Sequence, residues 1–526
     1  MGLDNPLTHN GRQGRRPFQS TSNLTRLWFA LFSMGLMVVP FLAVEIPPAA
    51  DLPQHVAQVR LFFETLGNPD SAYRIQWMTP YWLAYLVLGA LWRIVEPMKV
   101  GLVGLALFGM AWAGSIHALA ASRGRSISSA NLASLFFFSL SMYWGFAPFV
   151  VGLPVFLLWV HLTTGPTDHR SEWKLLLGCL LLYFSHALWL VAGLVWLVVH
   201  DVAIGLPVKK RRLRRFAAVA PVIVLATIWY GNLEKLQFTS PTDWTPLPWT
   251  RVNPRWLVNT AFGGVRGPTE FVVMGLILLW VAVGLYQHRT ELEERSDGML
   301  ALAGLILLVA ALTLPNLYNQ TTEFAQRWTA PALVLLVLAA PAPKVRPSLA
   351  RVGSSAVAAL FVIMLAILWS FYEQHELTGF EQALEQTPPQ SRVLGIETEQ
   401  RSRVIKRAPF LQLPAYAQVR GGGSLGFTFA NFAPMPVVLK ETYTQPWTHN
   451  LEWEPWNLKL SDLAWFDVVL VNGFEEDQER VSEIEALDPV TKEGFWRLYR
   501  VDHAELQRLA SQRDLSQVRP LTWLEP

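Results

Sequence analysis

Cysteine is almost missing from this chain: Cys179 is the only one in 526 residues. It lies inside an apolar run, which excludes a disulfide framework and a cysteine-based metal site and leaves the redox compartment open. Charge is scarce too. Asp, Glu, Lys and Arg make up 16% of the chain, against roughly 25% in a soluble protein, and the shortage is concentrated before residue 373. A net charge of +3 is too small to imply a nucleic-acid partner. No repeat of fixed period is present, and no inverted repeat of the transporter kind.

What is plentiful is apolar. Hydrophobic residues reach 52% and there are 23 tryptophans, a residue suited to membrane interfaces. With about 20 apolar residues needed per crossing, the chain reads as a polytopic α-helical membrane bundle of about eleven spans. They fall near 27–45, 79–95, 98–120, 129–146, 148–164, 174–200, 216–232, 269–287, 298–314, 329–343 and 355–372. The first run is too long for a cleaved signal core and reads as a retained span. The division expected is a cytoplasmic segment 1–26, a membrane module 27–372 with an interfacial loop 45–78, and a C-terminal extracytoplasmic α/β domain 373–526.

Basic loops stay cytoplasmic. Arg12, Arg15 and Arg16 put the N-terminus inside, as does Lys209-Lys-Arg-Arg-Leu-Arg-Arg215 after an even number of crossings. His288-Arg-Thr-Glu-Leu-Glu-Glu-Arg295 and Lys344-Val-Arg346 agree, while Ser122-Arg-Gly-Arg125 falls outside and breaks the rule. The odd count leaves the tail on the outer face of the plasma (inner) membrane, with 45–78, 233–268 and 315–328. In the tail, Arg392–Ile396, Pro436–Leu439, Phe466–Val471 and Phe495–Val501 read as strands. Segments 475–487 and 503–513 read as helices. Gly421-Gly-Gly423 follows no clear strand, which gives little support to a phosphate-cradling role.

The candidate chemistry begins at Glu45-Ile-Pro-Pro-Ala-Ala-Asp51-Leu-Pro-Gln-His55, directly after the first span. The residues that follow, 52–66, carry the pattern of an amphipathic helix lying in the interface. Asp51 could deprotonate or orient an acceptor hydroxyl; equally, Asp51 with Gln54 matches a capping box that only starts the helix. Glu45 either ends the span or supplies a second carboxylate. His55, one turn after Asp51, could share a ligand or a divalent cation with it, but no further residue completes a metal set, so the cofactor is unknown. Arg327 stands at the mouth of a span, and guanidinium suits a lipid phosphate; the competing role is a snorkelling anchor. Gln54, Tyr318, Glu323 and Arg266 complete the candidate substrate-binding set. His186, in mid-span, reads as neutral and hydrogen-bonded to a neighbouring helix.

This organisation resembles the GT-C class of membrane glycosyltransferases. Asp51 sits in the acidic position after span one and 52–66 is the interfacial helix. Phe466-Asp-Val-Val-Leu-Val471 and Gly494-Phe-Trp-Arg-Leu-Tyr-Arg500 are similar to the ends of uncharacterised bacterial relatives. The commonest Asp-x-Asp or Asp-Asp of that first loop is replaced by the separated Glu45 and Asp51. The resemblance implies inverting transfer of a sugar from a polyprenyl-phosphate donor to an acceptor at the outer membrane face. Asp51 would be the base or orienting group and Arg327 the holder of the donor phosphate. The partners implied are the lipid-linked donor and the bilayer. The alternative is a non-catalytic subunit of a membrane complex that keeps the architecture and has fixed protein partners.

Overall fold

The computed structural model describes residues 22–165, 171–205, 211–234, 242–319, 321–440 and 445–525. Arg12, Arg15, Arg16, Lys209 and Lys210 lie outside the described residues.

Among the described residues, six helices are long and apolar enough to cross a membrane: Asn23–Leu42, Pro97–Ser122, Ala147–Thr164, Arg212–Leu233, Thr269–Gln287 and Pro347–Glu376. Five further apolar helices are shorter, among them Trp82–Trp92 and Ala187–Ala203. Leu279, Val224 and Leu360 point outward from the bundle and are exposed, as lipid-facing side chains are. The chain is a multi-pass membrane protein.

Two expected spans are different in the structure. Segment 79–95 forms the helix Trp82–Trp92 of 11 residues, about 16 Å at 1.5 Å per residue and short of a hydrocarbon layer of about 30 Å. Tyr85 near one end bonds His55, and Trp92 and Arg93 at the other end stack on Phe63. Both ends therefore lie along the helix Leu52–Thr65. Segment 174–200 is broken at His186 into Ser171–Ser185 and Ala187–Ala203, which turn back at the end near Tyr81. The Ser122–Arg125 turn also moves. Arg26 donates to the Arg125 carbonyl and Arg123 pairs with Asp297, which places this turn at the end of the bundle that holds Arg26.

The helix Pro347–Glu376 has 30 residues, about 45 Å at 1.5 Å per residue, against a hydrocarbon layer of about 30 Å. Its last turns must project, and they carry Glu373 to the backbone N–H groups of Glu45 and Ile46, at 2.6 and 2.9 Å. Beyond it lies a five-stranded sheet in the order β3-β2-β5-β7-β6. β2 (Arg392–Glu397) runs parallel to β3 (Ser424–Leu425) and β5 (Val468–Asn472). β7 (Trp496–Val501) is antiparallel to β5 and to β6 (Leu487–Pro489). Pro436–Leu439 was expected in this sheet. Its strand β4 (Val437–Leu439) instead pairs with β1 (Tyr73–Ile75) in the first loop.

Alternate residues of a strand face opposite sides, and here the two sides enter different cores. Val393, Val468, Leu470, Trp496 and Leu498 join the core that runs through the helical bundle. Leu394, Ile396, Val469, Val471 and Tyr499 form a second core under the far helices. The sheet is thus built onto the bundle. A polar clamp reinforces the join. Glu270, fully buried, accepts from the N–H groups of Gly264 and Val265 and from Lys406 Nζ at 2.7 Å. Val265 bridges Ile405. Gly264 has no room for a side chain, since a Cβ there would sit within 2 Å of the Tyr143 ring.

Removing one partner of a buried pair leaves the other uncompensated, at about 3–5 kcal/mol. Glu270→Ala is therefore expected to lower stability by about that amount. Thermal melts of the purified chain in detergent check this, and an unchanged melting temperature would show that the clamp does not hold the two parts together.

Candidate functional site

The first loop turns back against the segment 143–145 before its helix begins. The Ala50 and Asp51 N–H groups donate to the carbonyls of Tyr143 and Trp144, at 3.0 and 2.9 Å. Gly145 adopts φ +76°, and a Cβ on it would lie 2.7 Å from the N atoms of Asp51 and Leu52. Only glycine allows that approach.

The Asp51 side chain does not cap the helix. The capping box expected with Gln54 is not formed, and Gln54 is used elsewhere. Gln54 Nε2 donates to Gln412 Oε1 and the Phe427 carbonyl, and its Oε1 accepts from Phe429 N–H. Gln58 accepts from Val437 N–H. The helix Leu52–Thr65 is accordingly not an amphipathic helix with one wet face. Gln54, His55 and Gln58 are all buried because the C-terminal part covers what would have been the solvent side.

Asp51 faces Arg327. Burial pushes the Asp51 carboxyl up to about 7, and the Arg327 charge opposes that rise. Arg327 is itself buried, with its guanidinium 4.3 Å from the centre of the Phe146 ring and 5.3 Å from that of Phe149. It donates to the carbonyls of Thr322 and Glu323. Tyr81 lies within electrostatic reach of it and packs edge-on against His186 at 4.8 Å. The site therefore joins five separate stretches: 51–55, 81–85, 144–149, 186–189 and 327–328.

The other expected residues divide. His55 is in the cluster, but its Nδ1 is 2.6 Å from the Tyr85 hydroxyl and its ring also bonds the Gly145 backbone. Burial pushes it down to about 3, so it is neutral and serves to position the loop. The bond to a neighbouring helix expected for His186 is not formed among the described residues; its side chain accepts from Leu188 N–H and caps its own following helix. Glu323 lies beside Arg327 and is 3.7 Å from Arg407. Glu45 is exposed at the turn held by Glu373. Tyr318 is 46% exposed and packs on Phe324. Arg266 donates to the Ser402 carbonyl and belongs to the clamp rather than to this cluster. Tyr81, Tyr85, Phe146 and Phe149 were not foreseen, because apolar runs full of aromatics give no signal for which ring will meet a guanidinium.

Chemically, the cluster offers a carboxyl group poised near neutrality and a cation with aromatic walls. Among the described residues, no group of three or more His, Cys, Asp or Glu side chains is placed to hold a metal ion.

Fold and site together define a multi-pass helical membrane protein with an attached mixed sheet and a carboxyl–guanidinium site at one end of the bundle. No family model and no curated protein matches the chain. Two solved structures are similar to it in arrangement. One is ArnT from Cupriavidus metallidurans in the apo state, at TM-score 0.49 and 11% identity, covering 92% of this chain and 99% of that one. The other is the same protein bound to undecaprenyl phosphate, at TM-score 0.48 and 11% identity, covering 91% and 99%.

Because the folded carboxyl titrates near 7 rather than at 3.8, the folded state binds more protons than the unfolded one between those values. Ionising Asp51 therefore lowers stability as pH rises through that window, and the loss is complete above about 7. Asp51→Asn, which cannot ionise, is expected to melt higher than wild type at pH 8 and equally at pH 3.5. Equal melting at both pH values would mean that Asp51 is well solvated.

Proposed function

We propose that this chain is a lipid-donor-dependent glycosyltransferase of the GT-C kind, transferring a sugar from a polyprenyl-phosphate donor to an acceptor hydroxyl. The observation that carries the reading is that Asp51 and Arg327, from distant parts of the chain, lie within electrostatic reach of each other at one end of a membrane bundle. A donor with a polyprenyl tail reaches such a place from the bilayer, and its phosphate meets a cation built to hold it. Undecaprenyl phosphate, which ArnT from Cupriavidus metallidurans binds, is the probe for this site.

The chemistry then follows from charge. The acceptor oxygen attacks the anomeric carbon from the face opposite the phosphate, giving inversion. Asp51 takes the hydroxyl proton as the C–O bond forms. The bond from the anomeric carbon to the phosphate oxygen breaks, and Arg327 stabilises the charge gathered on the leaving phosphate. Phe146 and Phe149 hold the guanidinium in place and keep water from it. Tyr85 and His55 fix the start of the helix, and with it the aim of Asp51. On this reading the site and residues 373–526 face the extracytoplasmic side, and the end with Arg26 and Arg125 faces the cytoplasm.

Asp51→Asn is expected to insert normally and to lose at least about 100-fold in transfer rate, as for a missing general base. Arg327→Gln is expected to weaken binding of undecaprenyl phosphate by about 10–100-fold, the loss of a charged hydrogen-bonding partner. Transfer assays in detergent or liposomes measure the first and lipid-binding titration the second. Full transfer by Asp51→Asn would remove this mechanism, and a chain inert in both assays that co-purifies with fixed partners would point to the non-catalytic subunit.

A further inference from the structure

A second polar site lies away from the Asp51–Arg327 cluster, in the C-terminal part. β2 ends at Glu397, whose side chain is 3% exposed, and neither carboxyl oxygen has a hydrogen-bond partner. Glu397 lines a cavity of about 30 Å³. The Thr448 hydroxyl, also buried, lines it and lacks a partner. Glu452 lines it as well and lies within electrostatic reach of Glu397. The remaining polar side chains on the wall are amides, among them Gln412, Asn450 and Gln54. No lysine, arginine or histidine faces this space among its lining residues.

A buried carboxylate without a counter-charge is strongly unfavourable, and a second one beside it makes matters worse. A neutral carboxyl group would still need an acceptor for its own proton. The wall therefore asks for something positive and compact. Its unpartnered groups are all oxygen, the two Glu397 carboxyl oxygens and the Thr448 hydroxyl, with the Glu452 carboxyl on the same wall. Hard divalent cations select such oxygens and complete their shells with water. The size agrees, since about 10–15 Å³ suffices for one water and the space here holds an ion with a small part of its shell.

The place matters as well. The ends of parallel strands whose connections diverge are where open sheets bind ligands, and β2 is hydrogen-bonded to parallel neighbours on both sides. Gln54 belongs both to this wall and to the helix that begins at Asp51.

We propose that Glu397, with Glu452 and Thr448, forms a binding site for a hard divalent cation of the calcium or magnesium class. The ion fastens the 445–452 segment to the end of β2 and, through the shared wall at Gln54, steadies the helix that carries Asp51. The proposal does not depend on the glycosyltransferase reading, and its test is one of binding.

The full-length chain, purified in detergent and stripped with EDTA, is titrated with CaCl2 and separately with MgCl2 while its melting temperature is followed. At least one cation is expected to raise it saturably by several degrees. Terbium, as a calcium substitute, is expected to gain emission through Trp447, another lining residue, and to lose it to competing calcium. Glu397→Gln keeps the shape and removes the charge. It should melt no lower than the EDTA-treated wild type, since it lacks the buried charge, yet gain nothing from either cation. Trp447→Phe should lose terbium emission and keep the cation-dependent melting shift. No shift from calcium or magnesium in the wild type, or an equal shift in Glu397→Gln, overturns the site.

Discussion

The structure depends on covering one helix. Leu52–Thr65 carries Gln54, His55 and Gln58 among its apolar residues, and a membrane surface would satisfy only part of that mixture. The C-terminal part answers it group by group: Gln412, Phe427 and Phe429 for Gln54, Val437 for Gln58, and Arg60 reaching back to the carbonyls of Val419 and Arg420. Buried polar groups must be paired to be tolerated. With Gln54 paired at both amide atoms and Gln58 at its Oε1, though its Nε2 finds no partner, the first loop and the end of the chain form one body, and Asp51 at the start of that helix is held in a fixed position.

The same covering accounts for the electrostatics. Desolvation moves Asp51 toward neutrality, and a guanidinium enclosed by Phe146 and Phe149 keeps the carboxylate accessible. Aromatic walls exclude water, which strengthens the interaction of charges inside. A site of this kind needs rigid support more than ligating side chains. The support is visible in Gly145, in the Tyr85–His55 contact and in the Glu373 carboxylate gripping the backbone of 45–46.

Attachment of the sheet shows how a membrane bundle can extend into an aqueous layer. The last long helix outruns the hydrocarbon and keeps going as a strut. One face of the sheet then continues the core of the bundle, while the other builds a core of its own. The Glu270–Lys406 clamp lies on that boundary, with Arg407 running from the carbonyl of Asn259 toward Glu323. Through it the loop that carries Arg327 is tied to the same body as Asp51.

Much of this was legible from residue order alone. Long apolar runs, the abrupt change near residue 373, four strand-like runs in the tail and the acidic turn after the first span follow from hydropathy and periodicity, which are local properties. Asp51 and Arg327 stood out because each is a charge set at the end of an apolar run. What tertiary structure decided is everything that hinges on a partner. Segment 79–95 has the composition of a span, yet it lies along another helix because Tyr85, Trp92 and Arg93 find contacts there. His186 breaks a run that hydropathy joins. Val437–Leu439 could pair with any edge and chose Tyr73–Ile75. Gln54 looked like half of a capping box until Gln412 and Phe427 claimed it. Composition reports how much a segment would gain by leaving water; only the folded chain determines which surface it leaves water for.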